Sequence, residues 1–506
     1  MPLETFPINI SKGWMPDYAS FAMPEGALSI CTNLLPYDEY YAPALSAIPY
    51  SSGVLSGTPL TGIEIYSGAD DTYYSFVGTS SKLYRLETDY SLTDATRAEG
   101  NYTTSGNRWY FAPWGENLVA TNYNDVPQIM APNFTTAKFR ALGGNPPRAK
   151  YCISYYGRII FAFVQDKDGT VHPKRIHWSD RENIEQYTYT SGGSDYQTIA
   201  DAVSPITGIC NLGDMFLVSH RHSLTIGYLS TNSLYSIELH RGRFTNRGAL
   251  EGSLISVDNV AYFFDERDIY MCDGEQIVPI GDGIKRTFLN YLDIENYYRT
   301  TATYDPRNGY IMWCVMSTSS STPDKILIYN PKNKRFTLLS TTQHCIWNLH
   351  RAALNMDNMD LLYPNTDEIP VSLDGNFFYD TSPFVACVTS DGKISTFQGY
   401  SLQWNIRTRE ESNKDGILYV NNIRPKANKY TGSINTSVGS PIPMRVKLGY
   451  RFNENEEVQF TDNSFVNSKG YANFRQTGRF LSVDIIGGFH EGLVGLEAIG
   501  KLIARR

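Results

Sequence analysis

Residues 61–86 read TGIEIYSGADDTYYSFVGTSSKLYRL, three short apolar and aromatic runs (63–66, 73–77 and 82–86) joined by the turn-forming stretches 67–71 and 78–81. Asp, Asn, Ser and Gly supply the backbone angles of a tight reversal, so this spacing predicts antiparallel strands linked as hairpins. The same texture returns downstream. Residues 108–111, 118–121 and 128–130 form the next cycle, and 149–154, 158–164 and 174–178 the third. The fourth holds 208–210, 215–219, 223–228 and 234–239, and the fifth 253–257, 260–264, 268–272 and 276–280. Residues 301–304, 309–316, 325–329 and 335–338 follow, then a less regular set at 360–363, 375–379 and 393–398.

A cycle of about 40 to 50 residues matches the repeat of a propeller blade. One such sheet cannot cover both of its faces, whereas a closed ring of them can, leaving only short edges. The expected fold is all-β: a β-propeller of six or seven blades over residues 61–400. Before it, residues 1–60 carry Pro16, Pro24, Pro36, Pro43 and Pro49 and little periodicity. Proline interrupts a helical ladder, so this stretch reads as an extended N-terminal arm lying over another surface through Phe6, Ile8, Trp14 and Leu28. After residue 400 the cadence stops. Runs at 401–407, 416–420, 444–450, 479–486 and 495–504 suggest a C-terminal β-sandwich-like domain, 401–506. Helix is confined to short turns near 284–292 and 293–298.

Composition agrees with a β-protein, since 36 Tyr and 24 Phe are punctuated by 40 Gly and 25 Pro among 506 residues. With 44 Lys+Arg against 52 Asp+Glu the formal net charge is -8, which argues against gripping nucleic acid over the whole surface. No apolar run approaches the ~20 residues that span a bilayer, so no membrane insertion is expected. The start, Met1 to Phe6, lacks a basic, apolar leader, which implies synthesis in the cytoplasm. The seven cysteines are scattered without a C-x-x-C pair, as expected of reduced core thiols.

The search for chemistry returns little. Gly495 to Lys501 imitates a phosphate loop, but Leu502 stands where Ser or Thr would hold magnesium, and the stretch reads as strand. Ser390 to Phe397 approaches a sialidase Asp-box, yet Asp391-Gly392 without Trp is a hairpin turn. Asp166 to Gly169 and Asn355 to Asp360 space oxygen donors as a calcium loop does, without the terminal Glu. His344, Cys345 and His350 offer soft ligands without a second pair. Neither a metal nor a cofactor is expected, and no Gly-x-Ser-x-Gly elbow appears. A cluster of cations stands out in this acidic chain: Arg221, Arg241, Arg243 and Arg247. It reads as a solvated loop pair, or as contacts to an acidic partner or to phosphate.

Several stretches carry a family resemblance. Pro2 to Ile8, Leu28 to Asn33, Asn211 to Val218, Ser223 to Tyr228, Gly248 to Ser253, Ile269 to Gly274 and Arg175 to Ser179 resemble the tail hub or nozzle proteins of short-tailed bacteriophages (podoviruses), the packaged-DNA stabilisation proteins. Thr477 to Val483 is similar to the closing sandwich strand of that family. The resemblance implies a non-enzymatic virion subunit, made in the host cytoplasm and placed in the phage tail. It would form a hexameric ring below the portal and adaptor, retaining double-stranded DNA and then conducting it without sequence specificity. It also implies that the arm, through Phe6, Ile8, Trp14 and Leu28, clasps a neighbouring subunit, so that its loss abolishes the ring and leaves a folded monomer. A receptor- or glycan-binding propeller (tail fibre or adaptor) and a carbohydrate-active enzyme stay open as alternatives.

Overall fold

The computed structural model describes residues 3–130, 138–188, 193–230, 237–350, 359–363, 365, 369, 383–412, 416–429, 444–488 and 491–505. Among them, six separate four-stranded antiparallel sheets and four strands of a larger sheet make seven blades. Blade one comprises Pro59–Ser67, Thr72–Thr79, Leu83–Leu86 and Leu92–Asp94. Blades two, three and four begin with Tyr110–Trp114, Arg148–Tyr155 and Ile206–Leu212. Blades five and six begin with Ile255–Val257 and Thr301–Asp305. Blade seven holds Gln343–Leu349, Phe384–Thr389 and Ile394–Thr396, and borrows Ile48–Pro49 as its outer strand. The first strands touch from blade to blade, and Gln343–Leu349 meets Pro59–Ser67, so the ring is closed. The fold is an all-β propeller.

The strand composition follows from this packing. Tyr310–Val315 and Leu83–Leu86 are buried at every position because neighbouring blades cover both faces, which removes the alternation of a half-exposed strand. Leu60, Phe76, Trp109 and Leu118 fill the gap between blades one and two. Tyr151, Trp178, Phe216 and Val218 fill that between blades three and four. The indole of Trp109 donates to the Thr79 carbonyl at 2.8 Å, so its one polar atom is satisfied inside the core.

The arm does not stand apart from the rest. Glu4–Ile8 pairs with Glu491–Arg505. Ala27–Thr32 lies between Arg335–Ser340 of blade six and Trp404–Thr408, which makes one twelve-stranded sheet of a blade and half of the C-terminal domain. In that domain, Trp404–Thr408, Phe480–Gly487 and Arg445–Arg451 form one layer, and Glu491–Arg505, Gly416–Lys429 and Ala472–Gly478 the other. Val420, Ile423, Leu448, Val483 and Leu496 meet between the layers. The same cluster continues into Phe264 of blade five, Phe288 between blades five and six, and Trp313 of blade six, so propeller and sandwich share a core. The helical turns are Lys285–Tyr291, Ile294–Arg299 and Met359–Leu362, the last where the sequence predicts a strand at 360–363.

Candidate functional site

The four arm residues are brought together inside the chain's own core. Leu28 is fully buried, Trp14 and Ile8 nearly so, and Phe6 packs against the same cluster. Phe6 and Ile8 sit on Glu4–Ile8, paired along Glu491–Arg505; Trp14 pairs beside Leu28. Ile8, Trp14 and Leu28 thus serve the chain's own core. The sandwich and blade six withdraw the apolar surface of Ile8, Trp14 and Leu28 from water, while Phe6 stays partly exposed.

The cation cluster is only partly assembled. Arg221 is exposed and its Nε donates to Glu266 at 2.7 Å, so its charge is balanced within the chain. Arg247 lies over the Tyr270 ring and donates to the Asn246 carbonyl at 2.8 Å. The side chains of Arg241 and Arg243 lie outside the described residues. Sequence reasoning missed Arg267, whose guanidinium donates to the same Asn246 carbonyl at 3.4 Å. The signal was present in the turn Asp265-Glu266-Arg267-Asp268, two residues of which meet Arg221 and Arg247's acceptor. Asp265 is turned inward, accepting from the Arg267 and Asp268 amides, and burial raises its pKa.

A third place joins opposite sides of the ring. Arg108, on the lead-in to blade two, donates from Nη1 to the carbonyl of Thr300, on the lead-in to blade six. Gly252, on the lead-in to blade five, stands beside them with φ +80; a Cβ there would lie 2.2 Å from the Thr300 carbonyl oxygen. In a seven-membered ring these blades are as far apart as two can be, so contact between them crosses the axis. Lys150 Nζ of blade three lies 3.2 Å from Glu251, on the lead-in to blade five, and between the neighbouring blades six and seven Thr303 Oγ1 donates to Asn348 at 2.9 Å. The Arg108 side chain thus spans the propeller's own tunnel.

The remaining motifs are structural where they are described. Asp166 accepts from Arg175 at 2.9 Å and pairs with His172, and Gly169 turns the hairpin with φ +87. Residues 355–358 of the second calcium-like stretch lie outside the described residues. Cys345 is buried, His344 faces Arg299, and His350 pairs with Glu64, so the three do not converge. Gly495 to Lys501 lies within the strand Glu491–Arg505, and Asp391-Gly392 caps a hairpin of blade seven. Among the described residues no group of three His, Cys, Asp or Glu side chains is placed to hold a metal ion. No helix there is long and apolar enough to cross a membrane.

No protein-family model matches the chain, and no curated protein does. Among solved structures it is similar to the β-propeller domain of Myceliophteria thermophila Cps50 (Swd1), with a TM-score of 0.40 and 8% identity over 70% of this chain and 99% of that one. It is also similar to YCF48 bound to D1 peptide, with a TM-score of 0.37 and 10% identity over 70% and 97% of the two chains.

Proposed function

We propose that this β-propeller protein is a structural subunit of a short-tailed phage tail, a hub or nozzle that assembles as a six-membered ring and continues the DNA channel below the portal and adaptor. The observation that carries the reading is the sheet that runs from blade six through Ala27–Thr32 into the sandwich. A shared sheet and a shared core leave no linker at which the two bodies could hinge, which suits a part that must keep its shape under load. The spanned tunnel of the propeller adds that any DNA path would run between copies, not through one. Facing such a path, a chain of net charge -8 repels phosphate at short range and lets a duplex slide. Ring closure would use one heterologous contact repeated by rotation, and no substrate turnover is part of the role.

The test is electron cryomicroscopy of the chain mixed with the portal–adaptor complex encoded alongside it, together with mass photometry of the mixture. The expected result is a ring of six copies on the distal end of the adaptor. A chain that stays monomeric in that mixture and is missing from purified virions overturns the reading.

A further inference from the structure

On the face of the ring where the lead-ins to the blades converge lies a cleft of about 330 Å³, bounded by Thr58, Ser80, Thr103, Ser105, Tyr298 and Arg299. These come from the lead-ins to blades one, two and six and from the second hairpin of blade one, so the cleft exists only because the ring closes. Its size falls at the lower end of the range for small-ligand sites. Of its ten lining residues seven carry a hydroxyl and one a guanidinium, the others being Leu60 and Gly106; no carboxylate lines it.

The guanidinium is poorly served by its own chain. Arg299 Nη2 donates to His344 Nδ1 at 3.3 Å, while Nε is enclosed and has no hydrogen-bond partner. Burial, with the Arg299 charge second, holds His344 below the ordinary imidazole pKa, so the acceptor is neutral at pH 7. Among the described residues no acid lies within ion-pair distance of Arg299, nor of Arg108, which sits behind it at Thr300. A partly buried cation without a counter-charge is costly to the fold and becomes favourable when an anion supplies it. The hydroxyls of Thr58, Thr103, Ser105 and Tyr298 likewise have no partner inside the chain among the described residues. A cation beside several free donors is complementary to an oxyanion, whose oxygens accept several hydrogen bonds at once.

We infer that this cleft is a binding site for a small ligand bearing a phosphate monoester or a carboxylate, with Arg299 as the cation and the hydroxyls of Thr58, Thr103, Ser105 and Tyr298 as donors. A neutral sugar would leave the guanidinium unbalanced, and a cation would be repelled. The site is independent of the ring proposal, because a monomer contains all of it.

Calorimetric titration of the full chain with inorganic phosphate, glucose 6-phosphate, glucuronate and glucose tests this. Saturable binding of at least one of the three anions, with none of glucose, is expected, and the tighter anion tells phosphate from carboxylate. Arg299→Met should weaken it at least tenfold, Arg299→Lys should restore part of the affinity, and Thr58→Val should weaken it about threefold, the loss of one hydrogen bond. None of the three variants should unfold below the wild-type temperature, and Arg299→Met, which removes the unbalanced charge, should if anything unfold above it. No anion bound at about 10 mM, an affinity below any specific site, would overturn the inference. Equal binding of glucose, or unchanged affinity in a folded Arg299→Met protein, would do the same.

Discussion

Arg108 and Thr300 lie 192 residues apart in the chain, and a single hydrogen bond between them joins the lead-ins to blades two and six across the axis. Arg108 also lies over the Tyr110 ring, and its exposure is 7%. Replacing it by Met keeps the stem and removes the charge and the bond. The Thr300 carbonyl then loses its axial donor, and about 2 kcal/mol of stability should go with it. Urea unfolding of Arg108→Met reads this directly. An unchanged midpoint would mean that the crossing contact does not hold the ring.

Gly62 makes a similar point at the seam where the ring closes. A Cβ on this residue would lie 2.2 Å from the Trp347 ring, which itself donates to Ser75 at 3.3 Å. Blade one accepts the indole of blade seven because Gly62 has no side chain. Gly62→Ala should therefore destabilise by about 1–3 kcal/mol through overpacking. Adding Trp347→Leu should recover part of that loss, so the two changes together cost less than their sum. Additive losses in thermal unfolding would place the clash elsewhere.

The strands of the blades were legible because each sits between turn residues. Residues 128–130 are read from the sequence where Gln128–Met130 is observed, and the turn at 284–292 contains Lys285–Tyr291. The closing strand was not legible. Ile48–Pro49 is two residues long, and its partner Ile394–Thr396 lies far along the chain, so no periodicity marks it. The arm read as extended for the right local reason, its prolines, but local sequence cannot say which surface an extended segment covers. The short outer strand Leu92–Asp94 was missed because its residues alternate too briefly to show a pattern. The cleft was illegible altogether: Arg299 is one arginine at the end of a helical turn until blades one and two close against it.

Thiol chemistry offers a check on the whole core. Cys31, Cys152, Cys272, Cys314, Cys345 and Cys387 are buried; Cys210 is half-buried on a strand of blade four. Burial raises the pKa values of Cys31, Cys152, Cys210, Cys314, Cys345 and Cys387, that of Cys345 to about 12. The reactive species is the thiolate. An alkylating reagent at pH 8 should therefore label none of the seven in the native protein and all of them in denaturant, as mass spectrometry would show. Rapid native labelling of Cys345 would contradict the closed seam.

His220 sets a pH dependence whose sign follows from its surroundings. Its Nδ1 lies 3.0 Å from the Ser204 carbonyl and its Nε2 is enclosed without a partner. Burial pushes its pKa down to about 4. The unfolded imidazole takes its proton near pH 6.5, whereas the native one does not until about 4. Stability is thus whole above 6.5 and falls as the pH drops through that window, by on the order of 3 kcal/mol at most. Buried Asp265 and Asp305, whose pKa values burial raises, act in the opposite direction, so the whole-protein profile is a sum. Comparing His220→Gln with the parent isolates the histidine. The variant should show a flatter loss between pH 6.5 and 4; parallel curves would mean that the native fold does not depress the His220 pKa.

Truncating the arm separates a clasp from a structural strand. If residues 1–30 only reached out to a neighbour, the shortened chain would remain a folded monomer. In the structure Glu4–Ile8 shields one edge of Glu491–Arg505, and Leu28 and Trp14 belong to the core shared by sandwich and blade six. Their removal exposes an unpaired strand and leaves cavities where each large apolar side chain was lost, about 2–5 kcal/mol apiece. That sum exceeds the margin of an ordinary domain. The truncated chain should therefore aggregate or show a molten sandwich beside a surviving propeller, measured by hydrogen exchange across residues 404–408 and 480–487. A truncated monomer with native protection in those strands would return the arm to the role of an external clasp.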